Sequence, residues 1–198
     1  MDKNRRKQQI MEVALRQFAS RGYHSTSVAD TIREMEVARG TFYRYFRDRH
    51  DLFDQLLEDN FRYVKRVLPE VGDFRSLTAK EVESMLTLAF CELLSRPKSR
   101  DFVSVMVNEA AGADRMFAQK VEDFYDGLAE IFSAYISRAQ EEGLIREHNA
   151  GISSHLVLGA LKEIFIQRAR GDKFSDLEEL VRETVSFIIR GMGTMEKQ

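Results

Sequence analysis

The chain of 198 residues is long enough to bury a sizeable core, and its 43% hydrophobic and 31% charged residues are typical of a folded globular protein rather than a disordered one. Its single cysteine, Cys91, excludes an internal disulfide and a cysteine-based metal site, and no apolar run reaches the roughly 18 to 20 residues that cross a bilayer. Residues 1–50 hold 11 basic and 6 acidic side chains, whereas the rest of the chain holds 19 basic and 26 acidic ones. We therefore expect the basic N-terminal part to bind a polyanion.

Apolar residues recur three and four positions apart along almost the whole chain, which predicts an all-α protein of about nine helices. Four helices are expected in the first third, at about 3–20, 28–35, 38–45 and 48–68. Asp48 is suited to be the N-cap of the fourth helix, since a carboxylate there accepts hydrogen bonds from free backbone N–H groups. A tight turn must join the two short helices.

Five further helices are expected, at about 78–95, 100–111, 114–142, 149–170 and 175–189. Capping boxes begin the first and the last of them, at Thr78-Ala79-Lys80-Glu81 and Ser175-Asp176-Leu177-Glu178. Asn149 is a candidate N-cap, and Gly143 is placed to end the long third helix. This order of helices predicts a larger helical domain behind a small N-terminal one.

The first three predicted helices have the layout of a helix-turn-helix domain, in which a longer helix precedes two short ones joined by a tight turn. In such a domain the second short helix enters the major groove of DNA. We therefore predict a three-helix DNA-binding domain at residues 1–50 and a ligand-binding and dimerisation domain at residues 51–198. The helix at 48–68 would connect the two.

The second short helix carries the side chains that such a role needs. Arg39 can form two hydrogen bonds to guanine, and Thr41 can contact a base or a thymine methyl group. Gly40 would let the backbone approach DNA closely. Tyr43 and Arg44 offer donors to phosphates, contacts that fix the register of the protein on the duplex.

Residues outside this helix are expected to support it. Thr26 and Ser27, at the start of the preceding helix, are candidates to place hydroxyl and backbone N–H groups on a phosphate. Phe42 and Phe46 alternate with the polar residues at helical spacing, so we predict that they anchor the helix in the core of its own domain.

The stretch from about Arg6 to Phe53 resembles the N-terminal domain of TetR-family transcriptional regulators, in particular through Thr26-Ser27-Val28-Ala29-Asp30 and Arg39-Gly40-Thr41-Phe42-Tyr43-Arg44-Tyr45-Phe46. The resemblance implies a homodimer, a palindromic operator with two half-sites, and a C-terminal domain that binds a small effector. It also implies phosphate contacts by Tyr43 and by Arg49, where lysine is commoner in the family.

Two positions depart from the family pattern. Glu36 stands at the turn between the short helices, where glycine is usual, so the turn is expected to be built differently or to hold glutamate in a permitted conformation. Thr31-Ile32 stands where an isoleucine followed by a small residue is usual. A threonine on the core side is tolerated if its hydroxyl bonds back to its own helix.

The larger domain contains methionine, phenylalanine and polar side chains that suit an adaptable cavity for a hydrophobic effector, such as a fatty-acyl compound or an aromatic molecule. The candidate ligand-binding residues are Met85, Leu88, Phe102, Met106, Asn108, Glu109, Phe124, Tyr125 and His155.

The last two predicted helices have apolar residues on more than one face, which indicates a partner beyond their own core. Paired with their symmetry mates they would form a four-helix dimer interface. The candidate interface residues are Ile152, Leu156, Gly159, Leu161, Phe165, Leu180, Val181, Thr184 and Ile188.

No catalytic constellation, phosphate-binding loop or metal-ligand spacing occurs, so we expect no enzyme activity, no cofactor and no metal. The charged N-terminus leads into no signal-peptide pattern, which favours a cytoplasmic protein with no membrane role. The sequence therefore predicts a ligand-responsive transcriptional regulator, most simply a repressor. The alternative is an all-α lipid-binding protein with no DNA role.

Overall fold

The computed structural model describes residues 3–68, 77–108, 115–170 and 176–193. Within these ranges the regular structure is helical, which confirms the predicted fold class. The helices are α1 (Lys3–Arg21), α2 (Val28–Glu34), α3 (Arg39–Tyr43), α4 (Arg49–Val67), α5 (Ala79–Ser95), α6 (Ser99–Asn108), α7 (Arg115–Glu141), α8 (Ala150–Arg170) and α9 (Leu177–Gly191). None of these described helices is long and apolar enough to cross a membrane.

The predicted helix ends agree with the observed caps at four positions. Thr78 forms the expected capping box with Glu81. Asp48 accepts the N–H of Asp51 at 2.8 Å, and Asn149 accepts the N–H of Ile152 at 3.0 Å. Gly143 follows α7 with a φ of +69°, a conformation that glycine adopts without steric cost.

The start of α9 differs from its prediction. Asp176, rather than Ser175, is the N-cap, and its carboxylate accepts the N–H groups of Glu178 and Glu179 at 2.9 and 3.2 Å. One carboxylate therefore satisfies both N–H groups without a reciprocal box. Ser175 itself lies outside the described residues.

The chain divides into two compact units, which we call the N-terminal unit (Met1–Arg62 and Pro97–Asp123) and the C-terminal unit (Tyr63–Arg96 and Phe124–Gln198). This division is not the same as the predicted functional division after residue 50, which stays a prediction. In the structure α6 and the first turns of α7 belong with the N-terminal helices, although they are distant in sequence.

An aromatic cluster fills the core of the N-terminal unit. The ring of Tyr23 lies 5.1 Å from that of Phe18, 5.2 Å from that of Phe53 and 4.5 Å from that of Phe117. Phe53 and Phe117 stack at 4.5 Å with an angle of 23° between their planes. Aromatic pairs at such distances contribute beyond their buried area, so α7 helps to hold the N-terminal helices together.

The core of the C-terminal unit is built from α5, α7, α8 and α9. Its buried residues include Phe90, Leu93, Phe132, Leu161 and Val185. The most extensive helix contact is between α5 and α9. These four helices surround the cavity described below.

Candidate functional site

The turn between α2 and α3 is a Schellman motif with glutamate at its left-handed position. The N–H of Glu36 donates to the carbonyl of Arg33 at 3.2 Å, and the N–H of Val37 donates to the carbonyl of Ile32 at 3.3 Å. Glu36 has a φ of +51°, the left-handed region that favours glycine. The turn is therefore not rebuilt to suit glutamate, and its backbone is strained by roughly 1 kcal/mol.

The face of α3 that points away from the core carries the predicted DNA-contacting residues. Arg39, Gly40, Tyr43 and Arg44 are exposed, and Thr41 is half-buried. Arg39 lies with its guanidinium carbon 5.5 Å from the centre of the Tyr43 ring, an arrangement in which the ring attracts the cation and orders it.

Two phenylalanines fix this helix to the N-terminal unit. Phe42 and Phe46 are each 1% exposed, and their rings lie 5.5 Å apart. The prediction that they are core anchors is confirmed. Because they are buried, rotation of α3 is prevented and the side chains of Arg39, Tyr43 and Arg44 are held outward.

Gly40 has no internal packing role. A Cβ atom built at this position would meet nothing within 4 Å in the described part of the chain. Glycine in a helix is less favourable than alanine by about 1 kcal/mol. The described part of the chain therefore gives no packing reason for glycine at this position, and the predicted close approach of DNA stays a prediction.

The side chains of Thr26 and Ser27 differ in whether a phosphate could reach them. Thr26 is 1% exposed and its hydroxyl donates to the carbonyl of Gly22 at 2.8 Å, so the prediction that this hydroxyl is available to a phosphate is wrong. Ser27 is exposed, but its N–H donates to Asp30 at 2.9 Å within a capping box. A phosphate contact by Ser27 stays a prediction.

Arg49 braces the loop between α1 and α2. One guanidinium nitrogen, Nη1, donates to the carbonyls of Tyr23, His24 and Thr26 at 2.9, 3.1 and 3.2 Å. The guanidinium also lies 4.3 Å over the Tyr23 ring. This bracing role could not be predicted from side-chain types, because the partners are backbone carbonyls. The predicted phosphate contact would have to use the other guanidinium nitrogens.

Thr31 is held by a polar network rather than by its own helix. Its hydroxyl donates at 2.8 Å to Oε1 of Gln17, a buried residue of α1. The amide nitrogen of Gln17 donates in turn to Glu34 at 2.6 Å. A bond back to α2, the condition under which a threonine was expected to be tolerated here, is replaced by this bond to Gln17 of α1.

The C-terminal unit contains an apolar cavity of about 90 Å³. None of the described residues that line it carries a charged side chain. Its walls include Met85, Leu86 and Phe90 of α5, Phe132, Tyr135 and Ile136 of α7, Val157 of α8, Val185, Ile188 and Ile189 of α9, and Leu144 and Ile145 of the loop after α7. Burial raises the pKa of the Tyr135 phenol to about 12, so this side chain is neutral at physiological pH.

Among the described ligand-binding candidates, Met85 alone lines this cavity. Leu88 is 73% exposed, and Phe102 and Met106 are buried in the N-terminal unit. Phe124 and Tyr125 are half-buried and His155 is exposed. The expectation that they share one site with Met85 is wrong, because periodicity shows only that a residue is apolar and not which side of its helix faces the cavity.

The two remaining ligand-binding candidates are not tested. Asn108 is the last residue of α6, and its side chain is outside the described part of the structure, as is the whole of Glu109.

An exposed apolar surface lies on α8 and α9, as the dimer prediction requires. Ile152 and Leu156 are 62% and 70% exposed, and Gly159 continues their row one turn further on. Phe187 of α9, which the prediction missed, is 78% exposed. Its spacing of three residues from Thr184 could have indicated it.

The other predicted interface residues divide into two groups. Leu161 and Val181 are 5% and 2% exposed and belong to the core of the C-terminal unit, so their prediction as interface residues is wrong. Half-buried positions are occupied by Phe165, Leu180, Thr184 and Ile188, and the last of these also lines the cavity.

Comparison with known proteins assigns the family. Residues 10–56 match the family model described as bacterial regulatory proteins, tetR family. This segment contains α2, the strained turn and α3. The N-terminal part of the chain is therefore the DNA-binding domain of the TetR family, and the protein is a DNA-binding transcriptional regulator.

TetR-family relatives resemble the chain over nearly its whole length. It is 22% identical to the fatty acid metabolism regulator protein of Bacillus subtilis, over 93% of this chain and 94% of that protein. The fatty acid degradation regulator FadR from Bacillus halodurans has the same fold, with a TM-score of 0.77, 20% identity, and coverage of 98% of this chain and 100% of that one. FadR from Bacillus subtilis, whose structure is a complex with stearoyl-CoA, has a TM-score of 0.75 and 21% identity, and the match covers 93% of this chain and 98% of that one.

Proposed function

We propose that this TetR-family regulator is a homodimeric repressor that leaves a palindromic operator when a small hydrophobic molecule occupies the C-terminal unit. The observation that carries the proposal is the division of residues 39–46, which comprise α3 and the turn after it, into buried Phe42 and Phe46 and exposed Arg39, Tyr43 and Arg44. A segment with this division is fixed in the protein and presents donors outward. A regulator of chromosomal DNA would act in the cytoplasm.

Base recognition is assigned to Arg39 and Thr41. The Arg39 guanidinium matches the two acceptors of guanine in the major groove, and a threonine methyl group can contact the thymine methyl. Tyr43 and Arg44 would donate to phosphates, and these contacts position the module without reading sequence. Gly40 lies between the two base-reading residues, where the backbone would come closest to the DNA.

A dimer would present two such modules to two half-sites about one helical turn, or a multiple of it, apart. We assign the dimer interface to the exposed row of Ile152, Leu156 and Gly159 on α8 together with Phe187 on α9. Large apolar side chains at this exposure would be costly in an isolated chain, and a two-fold axis would cover both copies of the row.

The effector is proposed to be an amphiphile with a long apolar chain. The described lining of the cavity holds no charged side chain, so an apolar chain would suit it, and a charged head group would stay outside. Stearoyl-CoA, which the Bacillus subtilis FadR structure contains, is a suitable first probe. Release would follow if the occupied conformer binds the operator less tightly than the empty one.

The experiment begins with selection of duplexes from a randomised pool by the wild-type protein. Operator binding is then measured by fluorescence anisotropy with increasing stearoyl-CoA. We expect a selected palindrome and a dose-dependent loss of binding. Recovery of no enriched duplex would contradict the DNA-binding proposal, and enrichment with no response to the probe would contradict the acyl-chain proposal alone.

Two matched variants test the cavity. Met85→Trp places a larger side chain in the cavity, whereas Leu88→Trp makes the same kind of change on the exposed side of the same helix. We expect Met85→Trp to bind the operator but to lose its response to stearoyl-CoA. Leu88→Trp should keep both properties, and an equal response in the two variants would place the effector elsewhere.

A further inference from the structure

Glu36 occupies a position that its own backbone does not favour. It is the only non-glycine residue with positive φ in the described parts of the chain, and it holds the left-handed position of the Schellman motif that ends α2. Glycine would adopt this conformation without a steric penalty. A side chain here therefore needs a compensating benefit.

No such benefit is visible inside the protein. The Glu36 side chain is exposed, and it has no hydrogen-bond or ion-pair partner among the residues that the structure describes. The neighbouring acidic side chains differ in this respect. Each of them accepts a hydrogen bond that holds a helix end or a helix pair, as shown by Asp30, Glu34, Asp48 and Asp51.

The position of Glu36 in the chain brings it close to the DNA-facing donors. It precedes Arg39 by three residues, so the two Cα atoms are at most about 11 Å apart. Below about 0.1 M salt, where the Debye length exceeds about 10 Å, exposed charges separated by a distance of that order are only partly screened. A duplex carries about one negative charge per 1.7 Å of its axis, so a carboxylate at this turn would oppose binding wherever α3 enters the groove.

We propose that Glu36 is an electrostatic limit on DNA affinity, a carboxylate kept at a strained turn so that phosphate attraction alone does not hold the protein on DNA. This inference rests on the proposed DNA binding. Arg39 and Thr41 must then supply a larger share of operator affinity through base contacts. A limited affinity also allows effector binding, whose coupling in allosteric proteins is typically about 5- to 150-fold, to release the operator.

Three variants of the full-length protein separate charge from backbone. Glu36→Gln removes the charge and keeps a side chain of the same size at positive φ. Glu36→Gly removes both the charge and the strain. Glu58→Gln is the control, because Glu58 is an exposed glutamate on α4 and its loss changes the net charge equally. Each variant is measured on a duplex selected by the wild type and on a scrambled duplex, at about 50 mM and about 300 mM salt.

We expect Glu36→Gln to tighten binding to both duplexes by about three- to tenfold at the lower salt, with the gain shrinking at the higher salt because the repulsion is screened. Glu36→Gly should tighten binding at least as much and raise Tm by about 2 °C, whereas Glu36→Gln should leave Tm unchanged. Glu58→Gln should leave both affinities within about twofold of wild type, since Glu58 lies on α4 and outside the turn that leads into α3.

Three results would overturn the inference. Unchanged affinity in Glu36→Gln with a gain in Glu36→Gly would mean that backbone strain, and not charge, limits binding. Weaker binding of Glu36→Gln to the selected duplex alone would mean that the carboxylate accepts a hydrogen bond from a base, as cytosine can donate. An equal gain in DNA affinity in Glu58→Gln would mean that the net charge of the protein, and not the position of Glu36, sets the affinity. If the wild type selects no duplex, the proposed function fails first and this inference fails with it.

Discussion

The exposed residues of α3 and of its C-cap all lie within one stretch of six residues, 39–44. The residues that line the cavity come instead from α5, α7, α8, α9 and the loop after α7. In the first region, the local helix and two buried phenylalanines decide which residues face outward. In the second, the packing of helices far apart in sequence decides it. The same kind of apolar residue therefore has a predictable role in α3 and an unpredictable one in α5.

The contrast is clearest between neighbouring residues. Phe42 and Tyr43 are adjacent aromatic residues, and the sequence separates the buried one from the exposed one correctly. Met85 and Leu88 lie three residues apart on α5, and the sequence assigns both to the ligand site although only Met85 lines the cavity.

The largest expected effect tests whether ligand binding in the cavity depends on the folding of the N-terminal unit that carries α3. Phe42→Ala should destabilise the N-terminal unit by about 3 to 5 kcal/mol, since it removes a buried aromatic ring and leaves a cavity. Operator binding should be lost because α3 is no longer anchored. Chemical denaturation and anisotropy measure these changes. Stearoyl-CoA binding should remain, and its loss would show that the cavity depends on the N-terminal unit.

Arg39→Ala should cost about 1 to 3 kcal/mol of operator binding per half-site and relax specificity at one base position. The fold should be unaffected because the side chain is exposed. Binding to a set of single-base operator variants measures the change. A uniform loss on every variant would reassign Arg39 from base recognition to phosphate contact.

Gly40→Ala should separate stability from binding. The helix should gain about 0.5 to 1 kcal/mol because alanine is the better helix former, and no internal contact opposes the added methyl group. Operator affinity should fall about tenfold, or roughly 1.4 kcal/mol, if the backbone approaches DNA here. A thermal melt and a titration on the selected duplex decide the matter, and unchanged affinity would remove Gly40 from the interface.

Tyr43→Phe should have the smallest effect. Loss of one phosphate hydrogen bond is expected to weaken binding by about 0.5 to 1.5 kcal/mol per half-site, and alike for selected and scrambled duplexes. The ring that orders Arg39 is retained. A change in the preferred base at any position would indicate that the hydroxyl group reads sequence.

Much of the fold could be predicted from the sequence, because helix periodicity and caps are local. The capping box at Thr78, the N-caps at Asp48 and Asn149, and the end of α7 at Gly143 are all signalled by a few adjacent residues. The predictions that failed concern residues whose burial or partners do not follow from spacing within one helix. Thr26 is buried by the loop it belongs to, and Thr31 is satisfied by Gln17 from another helix.

Spacing within single helices is enough to predict the helical class, the order of the helices and the residues of α3 that face outward. The three-dimensional structure was needed to show that Phe102 and Met106 belong to the N-terminal unit, that Arg49 braces a loop, and that α5, α7, α8 and α9 line an apolar cavity. These features require contacts between residues far apart in the chain, and a hydrophobic pattern carries no information about which distant surface will cover it.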